Sequence, residues 1–143
     1  MFRVWGRMVR ITKRDYFMGI AKSTAKRGTC DRAYVGAILV KEGRVIAAGY
    51  NGSPSGMPHC DEVGHEMLGK HCVRTVHAEI NCIIQAAKLG ISIEGAEIYI
   101  THKPCYNCCK ALINAGIKKV YYEEEYEDKF NANYHDKLEM VKL

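Results

Sequence analysis

The sequence predicts one α/β domain, a three-layer α/β/α sandwich around a mixed, roughly five-stranded sheet. Three observations predict it. The chain has 143 residues, 48% of them apolar, which suits a single domain with its own core. Segments of helical and strand character follow one another as helix, strand, strand, helix, strand, helix, strand. A tight turn joins the first two strands and makes them antiparallel, whereas helices separate the later strands and favour parallel pairing. The domain is expected over residues 1–143, with its core at about 12–128 and flexible or peripheral ends.

The first helix starts at Thr12-Lys13-Arg14-Asp15, with Thr12 as N-cap and Asp15 three residues on, a shorter relative of the capping box. It runs to about Lys26 and stops at Gly28. Tyr34 to Val40 is rich in β-branched and small apolar residues and reads as a strand. Lys41-Glu42-Gly43-Arg44 is a turn, and Val45 to Tyr50 returns. Asn51-Gly52-Ser53-Pro54-Ser55-Gly56 breaks regular structure. Met57 to Thr75 is polar, carries His59, Cys60, His65, His71 and Cys72, and is too long for a plain connection, so it needs its own stabiliser.

Val76 to Leu89 reads as a helix with Ile80, Ile83, Ile84 and Ala87 on one face and Gly90 as its stop. Ala96 to Thr101 is a strand. Cys105 to Ala115 is a helix with Ala111, Leu112 and Ala115 inward and Gly116 after it. Lys118 to Tyr122 is the last strand assigned, and the remaining residues carry no clear pattern.

Charge and cysteine usage bound the function. A formal net charge of +5 suits an anionic substrate, and equally an ordinary basic surface. No run of roughly 18 apolar residues occurs, so no membrane span is expected. Met1 to Arg14 alternates basic and apolar residues, unlike a secretory signal, and the first ten residues read as a frayed tail or a non-native start. Seven cysteines, an odd number, argue for metal binding over a disulfide scaffold. A reduced, cytoplasmic protein is expected.

Two segments carry the chemistry. Val76-His77-Ala78-Glu79 opens one helix, and Lys103-Pro104-Cys105-Tyr106-Asn107-Cys108 opens the next. A Cys-x-x-Cys at a helix N-terminus aims both sulfurs at one point, where unpaired N–H groups and the positive dipole end stabilise thiolates. With His77 they make three ligands for a tetrahedral zinc with one position open. An open position holds a water whose pKa falls to about 7. Glu79 stands two residues from the ligand histidine and can act on that water as base and then as acid. His-x-Glu with Pro-Cys-x-x-Cys is an established mark of zinc nucleobase deaminases, and the chain matches it. A closed, purely structural zinc site would need a fourth protein ligand and would leave Glu79 unexplained.

Beyond the motif, Thr29 to about Asp128 resembles the dCMP (deoxycytidylate) deaminase family. The resemblance lies in Val35-Gly36-Ala37, Gly49-Tyr50-Asn51-Gly52-Ser53-Pro54, His77-Ala78-Glu79-Ile80-Asn81, Pro104-Cys105 to Cys108, and Ala115 to Val120. It implies a cytidine deaminase-like fold and hydrolysis of dCMP to dUMP, the thymidylate precursor. It further implies a homohexamer activated by dCTP and inhibited by dTTP, with Mg2+ accompanying a triphosphate effector.

Carried over by residue, the resemblance gives His77, Cys105 and Cys108 to zinc and Glu79 to proton transfer. It places Asn51 on the sugar hydroxyl, the Ala78 N–H on the pyrimidine carbonyl, and a carbonyl near Thr101 to Lys103 on the amino group. Asn51 also reads as a turn residue before Gly52. Tyr126 is either the aromatic lid of the pocket or an ordinary surface or core tyrosine. His102 and Lys103 are unusual ahead of the Pro-Cys pair. The Gly49 to Gly56 stretch, Gly52 and Ser53 above all, offers backbone N–H groups for an effector anion.

Related dCMP deaminases include members with a structural zinc, and Cys30, Cys60, His65 and Cys72 are the spare ligands here. His71 competes with Cys72, and His59 is a further candidate. A closed site would staple the 57–75 loop. The plainer alternative is free buried cysteines and solvated histidines. Cys82 and Cys109 read as small core residues.

Three other functions compete. A tRNA or nucleic-acid deaminase of the same superfamily would need a basic strip. The Glu123-Glu124-Glu125 run, expected near the pocket mouth, speaks against a nucleic-acid partner. A non-catalytic zinc module would not need Glu79. A purine or riboflavin-precursor deaminase shares the zinc centre, but the Gly49 to Pro54 stretch favours dCMP.

Overall fold

The computed structural model describes residues 2–4 and 7–143. Near the start, β1 (Phe2–Val4) and β2 (Arg7–Val9) pair antiparallel, where a frayed tail was expected; residues 1, 5 and 6 of that expectation lie outside the described residues. The first helix, α1 (Lys13–Ala25), begins as its sequence requires, with the Thr12 hydroxyl accepting from the Asp15 N–H at 3.1 Å.

β3 (Gly36–Lys41) and β4 (Arg44–Tyr50) form an antiparallel hairpin. Its two loop residues, Glu42 and Gly43, have φ of 54° and 75°. Positive φ at both positions matches the right-handed twist of the strands. The long loop is not featureless. It holds a helical turn, α2 (Cys60–Val63), and a small hairpin of β5 (Met67–Leu68) and β6 (His71–Cys72). After it come α3 (Ala78–Leu89), β7 (Glu97–His102), α4 (Tyr106–Asn114), β8 (Lys119–Glu124), a 3-10 turn at Asn131–Tyr134, and β9 (Glu139–Lys142). The unassigned C-terminal region therefore supplies the fifth strand.

The main sheet runs β4-β3-β7-β8-β9. There β3 runs antiparallel to both of its neighbours, β4 and β7, and β7, β8 and β9 are parallel. Period-two alternation divides its side chains between two layers. Ile38, Val40, Tyr99 and Tyr121 pack against Phe17, Met18 and Ala21 of α1. Ala37, Leu39, Ile98, Ile100, Val120 and Tyr122 pack against α3 and α4. The fold is thus α/β/α, as the sequence predicts.

The buried face of α3 differs from the expected one. Ala78, Glu79, Cys82 and Ala86 are buried, while Ile84 is 44% exposed and Ala87 faces solvent. Packing distance explains this. A Cβ on Gly49 would lie 2.5 Å from the Ala78 carbonyl oxygen and 2.7 Å from the Cys82 nitrogen, so α3 lies directly on β4 and only small residues fit between them. Gly36 does the same for α1, where a Cβ would strike the backbone of Ala21 and Ala25. Cys82 and Cys109 are fully buried core residues, as expected.

Candidate active site

The topology brings two helix starts to one place. His77 is the N-cap residue of α3, and Cys105 is that of α4, which begins directly beyond the C-terminal end of β7. Neither side chain caps its own helix. His77 Nδ1 lies 3.6 Å from Cys105 Sγ and 3.4 Å from Cys108 Sγ. A tetrahedral zinc about 2.0–2.3 Å from each donor sets nitrogen and sulfur donors about 3.5 Å apart, so the three residues fit the ion, and no fourth His, Cys, Asp or Glu joins this cluster among the described residues. Glu79, 4% exposed, lines the same cavity as His77 and Cys105, a space of about 730 Å³.

Asn51, His102, Lys103 and Tyr126 line this cavity too. The buried Asn51 amide is held at both ends, Oδ1 accepting from Val35 N–H at 2.8 Å and Nδ2 donating to the Ala33 carbonyl at 2.6 Å. An Asn amide has two protons and two lone pairs, so one of each is left for a ligand. Structural clamp and ligand contact are therefore compatible here.

A second cluster borders the cavity. Cys30, Cys60, His65 and Cys72 place one ligand atom each within 4.8 Å of one another, with Cys30 Sγ 3.4 Å from His65 Nδ1 and Cys60 Sγ 3.6 Å from Cys72 Sγ. Four such donors fit a closed tetrahedral site. The other His65 nitrogen, Nε2, lies 3.1 Å from Asp31 Oδ1, the outer-shell arrangement that fixes a ligand imidazole. The cluster takes Cys72, and its rival His71 lines the cavity instead. His59 lies 3.3 Å from Glu62 on the surface, outside the cluster.

The comparisons with known proteins agree with this geometry. Residues 11–124 match the family model described as the cytidine and deoxycytidylate deaminase zinc-binding region. The chain belongs to that family. It is 36% identical to the deoxycytidylate deaminase of Mycobacterium phage D29, over 78% of this chain and 94% of that protein. It is 52% identical to ComE operon protein 2 of Bacillus subtilis over 84% of this chain, and spans 64% of that relative's length. The crystal structure of the cyanophage S-TIM5 dCMP deaminase in complex with dCMP and dUMP superposes with a TM-score of 0.81 at 34% identity, covering 91% of this chain and 96% of the other.

The electrostatics follow from crowding. Burial raises the Glu79 carboxyl above the usual carboxylate range, with His77 pulling the other way. The hydrogen bond to Cys105 raises His77. The Cys108 thiol and His77 hold Cys105 down to about 4, and Cys108 is raised in turn by that bond and by burial. In the second cluster, burial pushes Cys60 up to about 12. Burial also pushes Cys72 up, but the N–H groups of Arg74 and Glu66 and the side chains of Cys60 and His65 bring it down to about 6. In each cluster the surroundings favour the thiolate form of one cysteine, Cys105 and Cys72, and thiolate is the ligating form.

Ala78 is fully buried at the first position of α3, with its carbonyl oxygen in the seam with β4. Two expectations are corrected. Gly52 and Ser53 do not present free N–H groups to an anion. Gly52 N–H donates to the Val76 carbonyl at 3.2 Å and Ser53 N–H to Thr29 Oγ1 at 3.0 Å, because this stretch is bridged to the start of α3. The acidic run does not line the cavity either. β8 carries Glu123 to the α1 side, where it pairs with Lys22 at 2.7 Å, and the cavity wall holds Arg32, Lys70 and Lys103 instead.

Sequence reasoning missed Arg32, Lys70, Asp31 and Asp128. The first two are joined, Arg32 Nη2 donating to the Lys70 carbonyl at 2.8 Å. No sequence motif marks them, because the loop that gathers them is organised by the Cys/His cluster.

Proposed function

We propose that the protein hydrolyses dCMP to dUMP and ammonia. The observation that carries this reading is the buried Glu79 carboxyl in a cavity lined also by His77 and Cys105, which form with Cys108 a cluster of three ligands, not four, among the described residues. A zinc ion held by His77, Cys105 and Cys108 would supply a Lewis acid that makes water nucleophilic near neutral pH.

The remaining steps fall to the chain's own residues. Glu79 takes a proton from the water that adds to C4 of the cytosine ring and delivers it to the ring nitrogen N3. It then moves the second proton to the amino group, which leaves as ammonia and yields uracil. A carboxyl raised by burial is suited to carrying a proton in both directions. Asn51 offers its free donor and acceptor to the sugar. Arg32, Lys70 and Lys103 give the cavity a cationic side that suits the 5′-phosphate. Tyr126 lines the same cavity and supplies the aromatic contact. Cys30, Cys60, His65 and Cys72 bind a second, structural zinc that staples the 57–75 loop.

The cyanophage relative binds dCMP and dUMP, which supports the substrate. Product supply to thymidylate synthesis, a homohexameric assembly and control by dCTP and dTTP rest on the family resemblance. Ammonia release measured across dCMP, CMP, dCTP, deoxycytidine, guanine and a short cytosine-containing single strand tests the assignment. Turnover of dCMP well above the rest is expected. Preference for the single strand would favour a nucleic-acid deaminase, to which the cationic wall is also suited.

A further inference from the structure

The geometry points to Asp128 as a positioning residue that locks Tyr126 to the metal-ligand helix. The inference rests on the reading of the main cavity as the nucleotide site. It starts from a local conflict. The residue before a helix normally caps it with a side-chain oxygen, but Cys105 stands there and turns its sulfur toward His77 and Cys108. The orphan N–H groups of α4 need another acceptor. Asp128 provides one from far along the chain, its Oδ2 accepting from the Tyr106 N–H at 2.7 Å. A carboxylate there also matches the positive end of the helix dipole.

The other oxygen does a second job. Asp128 Oδ1 accepts from the N–H groups of Phe130 at 3.0 Å and Asn131 at 2.6 Å. Asn131, 4% exposed, donates from Nδ2 to the Tyr126 carbonyl at 2.9 Å. The Phe130 ring meets Tyr106 edge-on, with centroids 5.5 Å apart. One carboxylate therefore fixes both the start of α4, which carries Cys105 and Cys108, and the loop that brings Tyr126 to the cavity. Its two oxygens measure the distance between the metal ligands and the aromatic wall.

The Asp128→Asn variant separates these links. It keeps an oxygen for the loop N–H groups but turns an amide NH2 toward the Tyr106 N–H. Misplacing a wall of a reactive site costs up to about 10²-fold, and we expect kcat/KM for dCMP to fall about tenfold, mainly through KM, with zinc content unchanged. If the effect passes through Tyr126, the same change made in Tyr126→Ala costs less than about twofold, because coupled residues are not additive. Losses that multiply, or full activity of Asp128→Asn, would overturn the assignment. Should Asp128→Asn fail to fold, Asn131→Ala breaks only the link to the Tyr126 carbonyl and must show the same non-additivity with Tyr126→Ala; additive losses there overturn it as well. Absence of dCMP turnover in the wild-type protein would instead defeat the substrate assignment.

Discussion

Gly49 and Ala78 meet without room for another carbon: a Cβ on Gly49 would stand 2.5 Å from the Ala78 carbonyl oxygen. The contact fixes the start of α3, and with it His77 and Glu79, against the sheet. Gly49→Ala is expected to destabilise the fold by about 1–3 kcal/mol, the usual cost of overpacking, and to lower activity by shifting α3. A thermal melt and a dCMP assay check this. Unchanged melting and turnover would show that the seam yields more easily than its distances imply.

Cys105→Ala removes a thiolate from the three-ligand cluster. Metal analysis should show loss of one zinc per chain, and deaminase activity should vanish. Retention of full zinc and full activity would mean that this cluster is not the catalytic centre.

Glu79→Gln keeps shape and removes proton transfer. General acid–base catalysis contributes roughly 10²–10⁴-fold, and one group serving two transfers puts the loss at the upper end or beyond. Zinc content should persist. Near-normal turnover would remove Glu79 from the mechanism.

Cys60→Ser tests the second cluster. Metal-replete protein is expected to hold two zinc ions per chain and this variant one, with faster hydrogen exchange across residues 57–75. A single zinc in the wild-type protein would leave the four residues as free thiols and a histidine.

Burial holds the His102 imidazole below its ordinary value, with Glu124 pulling the other way. Above about pH 6.5 the group is neutral in both folded and unfolded chains and costs nothing. As the pH falls through that value the unfolded chain takes up the proton first, so stability declines until the lower, folded value is passed. The melting temperature should therefore drop less steeply between about pH 7 and 5 in His102→Gln than in the wild type. Parallel curves would show that His102 is not linked to folding.

Much of the fold was legible because its signals are local. The Thr12 cap, the Glu42-Gly43 turn and the apolar, β-branched run of β3 each follow from residues close in sequence. The candidate catalytic set was legible for the same reason, since His77-x-Glu79 and Cys105-x-x-Cys108 each lie within one helical turn. The inward face of α3 was misread because the seam with Gly49, a non-local constraint, admits only small residues, so isoleucine periodicity pointed the wrong way. β9 escaped notice because Glu139–Lys142 is short and lies at the sheet edge, with charged residues at both ends. Arg32, Lys70 and Asp128 escaped because their roles arise only when distant loops meet.

The tight seam between β4 and α3 also divides the molecule by its capacity for change. His77 and Glu79 stand at the start of a helix whose backbone lies directly on Gly49, with no room for a side chain between them. Other parts of the cavity wall come from the 57–75 loop and from the segment around Tyr126 and Asp128, which are held by the Cys/His cluster and by the Asp128 hydrogen bonds and not by close backbone packing. Substrate preference is therefore a property that two exchangeable loops can rewrite while the reacting centre stays as it is. Replacing those loops with ones of different length should change which base-bearing molecule enters, without requiring a new catalytic apparatus.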